Sequence, residues 1–127
     1  MTRKLYIPPL GDEITLAEDW TFNLYNEHRN STLVDVMNVT FPEVDYYKRQ
    51  HQYKPVTLPA GSVLKVDRIY IKKGQDAFNS VTFYLKGHSR PGYVWTGHAG
   101  RTYKMPKRSV RFWAKLADAN KIVMEEA

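Results

Sequence analysis

The chain has 127 residues, 43% of them hydrophobic and 13% aromatic, with a formal net charge of +6. That length suits one domain around one core, spanning residues 1–127, and so many large apolar side chains exclude a disordered tail. No stretch approaches the roughly 20 apolar residues of a membrane-spanning helix, and the absence of cysteine excludes disulfides, thiol catalysis and thiolate metal ligands.

Proline and glycine punctuate the chain into short apolar runs. Met1 to Pro9 carries basic residues with no apolar run behind them, which predicts no secretory signal and a cytoplasmic protein. Leu5-Tyr6-Ile7 reads as a short strand stopped by Pro8-Pro9 and Gly11, and Glu13 to Leu16 as another. Asp19 to Tyr25 alternates, with Trp20, Phe22 and Leu24 on one face, which predicts a half-buried strand. Asn26 to Asn30 is polar and predicts a turn. Ser31 to Met37 fits either a short helix capped by Ser31 or a strand built on its valines and threonine. Residues 38–60 mix tyrosines, charges and three prolines and read as a long excursion.

The second half is more regular. Leu58 to Gly61 is a turn, and Ser62 to Lys73 a long strand whose apolar phase slips by one at Asp67-Arg68, which predicts a bulge. After a turn at Gly74 to Ala77, Ser80 to Lys86 is its hairpin partner. Residues 87–106 hold four glycines and two prolines and read as a long exposed loop or a hairpin with a mobile tip. Ser109 to Leu116 returns as a strand with Val110, Phe112 and Ala114 facing the core. Ala117 to Asn120 makes one tight turn, and Lys121 to Glu125 a last short strand.

This order resembles the small barrels of the Src-homology-3-like class, including its KOW-type nucleic-acid and ribosome-binding modules. Leu58 to Val66 and Phe112 to Ile122 carry the resemblance, which covers about half of the chain. It implies a mainly β fold, a small, partly open barrel with an elaborated N-terminal half and at most one short helix. The chain also resembles small accessory proteins of tailed bacteriophages in its size and in the phrases Asp19-Trp20-Thr21-Phe22 and Arg111-Phe112-Trp113-Ala114-Lys115-Leu116. That likeness implies the bacterial host cytoplasm and a role in virion assembly or in modifying the host.

No constellation for catalysis stands out. His28, His51, His88 and His98 are far apart and make no metal-ligand spacing, so neither a metal nor another cofactor is expected. The adjacent acids Asp12-Glu13 and Glu18-Asp19 point to opposite faces of a strand. Asp67 sits at the phase slip, where a bulge re-aims a side chain, and reads as a local ion pair with Arg68 or a surface turn. Gly92, Gly97 and Gly100 lack the spacing of a phosphate-binding loop. The chain therefore reads as no enzyme.

Charge is the stronger signal. Residues 1–63 carry 6 basic and 8 acidic side chains, and residues 64–127 carry 13 and 5. Between Lys86 and Lys115 lie Arg90, Arg101, Lys104, Lys107, Arg108 and Arg111 with no acid at all, and Tyr93, Trp95, Tyr103, Phe112 and Trp113 are interleaved. Such a surface is either a solvated basic loop or a polyanion site, in which cations hold phosphates and aromatic faces stack on unpaired bases. The candidate contacts are Lys86, Arg90, Tyr93, Trp95, Arg101, Tyr103, Lys104, Lys107, Arg108, Arg111, Trp113 and Lys115. Tyr93 and Trp95 share a face and form either a stacking platform or a pin that folds the loop back. Trp113 faces outward beside Arg111 and Lys115, toward a partner or under the first-half excursion. The partner is DNA or RNA bound with little sequence specificity. The other reading is an acidic host protein docked on the same face, and a third is a virion structural subunit.

Overall fold

A computed structural model describes residues 2–4, 9–75 and 78–125 of the chain. The fold is mainly β. Strands β2 (Glu13–Thr15), β5 (Val63–Tyr70), β6 (Ser80–Arg90) and β9 (Arg108–Lys115) form an antiparallel sheet in the order β2-β5-β6-β9. Three two-stranded pairs accompany it: β1 (Thr2–Lys4) with β10 (Val123–Glu125), β3 (Trp20–Tyr25) with β4 (Tyr53–Leu58), and β7 (Tyr93–Thr96) with β8 (Thr102–Met105). The chain after β2 joins β10 through a bridge from Leu16 to Met124 and a bond from the Ala17 N–H to the Val123 carbonyl at 2.9 Å.

Alternation places the core. On β3, Trp20, Phe22 and Leu24 are buried; on β9, so are Val110, Phe112 and Ala114, as the two-residue period predicts. Phe22 stacks on Trp20 at 4.2 Å and on Phe112 at 5.2 Å, and Phe83 meets Phe112 at 5.6 Å. The β3–β4 ribbon thus lays its apolar face on the main sheet. Asp118 ties the ribbon down: its carbonyl accepts from Trp20 Nε1 at 3.0 Å, and its carboxylate accepts from the Asn23 N–H at 3.1 Å.

The β5–β6 ladder shifts register between Val66 and Arg68, which is the bulge expected at Asp67. The extra residue explains why Leu64 and Val66 are buried while the next inward side chain is Ile69.

Several expectations change. Three short helices are present among the described residues, against an expected one at most: α1 (Ser31–Val36), α2 (Tyr46–Arg49) and α3 (Leu116–Ala119). Ser31 to Met37 is helix rather than strand, and Asn30, not Ser31, stands at its N-cap position. Residues 38–60 are more than an excursion, because β4 pairs along the whole of β3. Pro55 hid that strand; it is tolerated there because β4 pairs on one side only. The strand after Ser62 ends at Tyr70, and β6 runs on to Arg90 past a register shift between Leu85 and Ser89. The strand read at Leu5-Tyr6-Ile7 and the last two residues of the turn ending at Ala77 lie outside the described residues.

Strand β9 is an edge of the main sheet, and side chains rather than a fifth strand cover it. Thr32 Oγ1 donates to the Arg111 carbonyl at 2.9 Å and accepts from the Arg111 N–H at 3.0 Å. Asn30 Oδ1 accepts from the Trp113 N–H at 2.8 Å, and its amide nitrogen donates to the Tyr25 carbonyl at 3.1 Å. Both side chains are buried, so losing either leaves backbone groups unpaired away from water. Thr32→Val keeps the shape and removes the hydroxyl. It is expected to lower unfolding stability by about 1–3 kcal/mol in urea titrations. Thr21→Val, which breaks an exposed hydroxyl pair with Thr57, should change it by less than about 0.5 kcal/mol.

Candidate functional site

The acid-free stretch from Lys86 to Lys115 divides into two groups. The first is tied to the body of the protein. Lys86 pairs with Glu13 at 3.4 Å, and Arg90 with Asp35 at 3.4 Å. Arg111 donates to Asp67 from Nε at 3.1 Å and from Nη2 at 2.9 Å. The bulge therefore aims Asp67 across β6 at Arg111 on β9, and not at its neighbour Arg68 as the sequence suggested. Sequence spacing could not reveal a pair 44 residues apart.

Trp113 belongs to the same group and packs under the first-half segment. Its ring stacks on Tyr25 at 5.3 Å, and Arg29 lies over it at 5.9 Å. Lys115 Nζ sits 5.1 Å from the Tyr25 ring. Glu27 locks the arrangement. It accepts from Trp113 Nε1 at 2.8 Å, from the Arg29 N–H at 3.0 Å and from Arg29 Nε at 3.0 Å. Burial alone pushes the Glu27 carboxyl up. The Trp113 bond and the Arg29 bonds and charge outweigh it and hold the carboxyl below its ordinary value of 4.5.

The second group stands out from the body on the β7–β8 hairpin. The segment is a hairpin rather than a loop: the pairing runs from Tyr93 opposite Met105 to Thr96 opposite Thr102. Residues opposite one another share a face. Tyr93, Trp95, Tyr103 and Met105 therefore line one side, with Val94, Thr96, Thr102 and Lys104 on the other. Tyr93, Trp95 and Tyr103 are 47, 53 and 44% exposed, so stacking surface is open on all three. Trp95 and Tyr103 lie 5.2 Å apart at a 31° tilt. Gly97 makes this possible: a Cβ there would stand 3.0 Å from the Trp95 ring and 3.4 Å from Tyr103.

Arg101, Lys104, Lys107 and Arg108 are exposed, and no carboxylate among the described residues lies within ion-pair distance of them. The bond from the Gly97 N–H to the Arg101 carbonyl at 2.8 Å continues the ladder, so alternation puts Arg101 at the end of the aromatic side. The sequence reading missed Val94 and Met105, although strict pairing of Tyr93–Thr96 with Thr102–Met105 would have revealed both. It also missed Asp35, whose approach to Arg90 depends on α1.

Among the described residues no group of three His, Asp or Glu side chains could hold a metal ion, and no helix is long and apolar enough to cross a membrane. The chain matches no family model, no curated protein and no solved structure.

Because its folded-state value is lowered, Glu27 adds stability that is fully present above pH 4.5 and lost as pH falls through that lowered value. Denaturation midpoints at about pH 6 and about pH 3 check this. Glu27→Gln should be less stable than the parent at the higher pH and lose less on acidification. Equal losses in both proteins would mean that the contacts of Glu27 with Trp113 and Arg29 do not favour the ionised carboxylate.

Proposed function

We propose that the chain is a non-catalytic binding protein that holds single-stranded nucleic acid along its β7–β8 hairpin, with little sequence specificity. One observation carries this reading. Three aromatic rings lie open on one side of a projecting hairpin whose neighbouring cations have no carboxylate partner among the described residues. Rings at this exposure can stack on unpaired bases, and Arg101, Lys104, Lys107 and Arg108 can donate to the phosphates. The tied residues Lys86, Arg111, Trp113 and Lys115 then support the hairpin's platform instead of meeting the strand. The acid-free run from Lys86 to Lys115 also lowers the repulsion that a polyanion meets.

The same reading makes the fold a partly open, Src-homology-3-like barrel. Its support is the order of a three-strand meander, β5-β6-β9, then the one-turn α3, then β10 returning beside the chain after β2. The β3–β4 ribbon is then an elaboration inserted before the meander, and β7–β8 an extension of the β6–β9 connection. A cytoplasmic site of action fits a nucleic-acid partner and a cysteine-free chain. Docking on an acidic protein is the second reading. The exposure of Val94, 64%, on the side away from the three rings favours it, because a base-stacking arm has no need of an apolar second side.

Fluorescence anisotropy with labelled single-stranded DNA, duplex DNA and RNA at two salt concentrations separates these readings. Single strands should bind best, with affinity falling steeply as salt rises. Trp95→Ala should weaken binding by about 1–3 kcal/mol. Replacing Arg101 and Lys104 by Ala should lower the salt slope by about two. No binding of any nucleic acid at low salt would overturn the reading and leave the hairpin as a protein-docking arm.

A further inference from the structure

The root of the hairpin holds a cleft of about 340 Å³, walled by Asp35 and Val36 of α1 and by Arg90, Pro91, Gly92 and Tyr93. Arg90 is the one buried charged residue among the described residues, 9% exposed. A guanidinium keeps its charge and offers five N–H donors, so burying it demands acceptors. Arg90 has few. Its Nη1 reaches Asp35 Oδ2 only at 3.4 Å, and that carboxylate is itself half exposed. Its Nε is buried with no hydrogen-bond partner among the described residues. Directly across the ladder stands a second arginine, Arg108. Like charges directly opposite weaken a strand pair unless an anion lies between or beside them. Tyr93 lies 5.5 Å from the Arg90 guanidinium, which orients the fork without accepting a hydrogen bond. Gly92 keeps the root narrow, since a Cβ there would stand 3.0 Å from the Met105 carbonyl oxygen.

We infer that this cleft is a phosphate-binding site, with Arg90 as its anchor, Arg108 as the second positive charge and Asp35 as the counter-ion that the phosphate replaces. A tetrahedral anion offers the paired acceptors that a guanidinium fork needs and a single long ion pair does not. The walls of Val36, Pro91 and Tyr93 give an apolar bed to the organic group that carries the phosphate. The size of the cleft suits a small ligand or one residue of a polymer. The site stands whether or not the hairpin binds a strand. Its phosphate comes either from a phosphomonoester, such as a nucleoside monophosphate, or from the diester backbone of a nucleic acid.

Calorimetric titration of the full chain with inorganic phosphate, at ionic strength fixed with chloride, tests the inference. The parent should bind phosphate, and Asp35→Asn, which removes the competing charge at constant size, should bind it roughly ten-fold more tightly. Arg90→Gln should bind none. If Arg90→Gln fails to fold, Asp35→Asn alone decides. Absence of phosphate binding in both the parent and Asp35→Asn would overturn the inference, as would equal affinity in the two. The Arg90–Asp35 pair would then be a clamp between hairpin and α1 and nothing more. Titrations with a nucleoside monophosphate and with a dinucleoside phosphodiester assign the source by which binds more tightly. Phosphate binding without oligonucleotide binding removes only the strand reading of the hairpin. Oligonucleotide binding without phosphate binding removes only the cleft.

Discussion

The rest of the molecule depends on how the outer edge of β9 is satisfied. An exposed strand edge carries unpaired backbone groups, and it costs stability when buried and invites aggregation when left open. Here two side chains from one short segment take the place of a neighbouring strand. Thr32 bonds both backbone groups of Arg111, and Asn30 bonds the N–H of Trp113. Asn30 also reaches back to the Tyr25 carbonyl, so the same residue fixes the end of β3. This explains why α1 is short and lacks a side-chain cap: its natural capping residue is used to pair the sheet. It also explains why Tyr25 meets Trp113, since both are attached to one asparagine.

A second consequence follows on the outer face of the main sheet. The bulge at Asp67 turns a carboxylate toward Arg111, and the Glu27 carboxylate takes the Trp113 indole. Two adjacent outward positions of β9 that look available for a partner are thereby occupied. On β9, Arg111 is neutralised by Asp67 and Trp113 is stacked on Tyr25. Within the stretch from Lys86 to Lys115, the open rings Tyr93, Trp95 and Tyr103 lie on the β7–β8 hairpin, whose strands are exposed at every position but Met105. Fixed and exposed chemistry are thus separated along a single run of sequence, and the buried Arg90 stands at the boundary between them.

Local patterns predicted much of the fold. Trp20, Phe22 and Leu24 alternate without interruption, and so do Val110, Phe112 and Ala114, because each strand buries one face. The bulge was legible as a phase slip between Val66 and Ile69. What failed were elements whose reason for being lies elsewhere in the chain. β4 contains a proline and mixed polarity and becomes a strand by pairing with β3. α1 carries β-branched residues that suit a strand, and it is helical where its Thr32 must meet β9. Along the candidate site, Tyr93, Trp95, Tyr103 and the cations from Arg101 to Arg108 were legible because their chemistry is that of exposed groups. The neutralisation of Lys86, Arg90 and Arg111 was not, because each carboxylate partner comes from a distant segment.

The sequence by itself determined the residues that enter the core, the positions of most turns and the concentration of positive charge in the second half. These are properties of near neighbours in the chain, set by side-chain polarity, backbone freedom and the period of a strand. Only the tertiary structure decided which of those charges and rings remain open to a partner. That outcome depends on contacts closed across 40 to 90 positions, such as Asp67 with Arg111 and Glu27 with Trp113. A charge or a ring is available only when no such contact has already taken it.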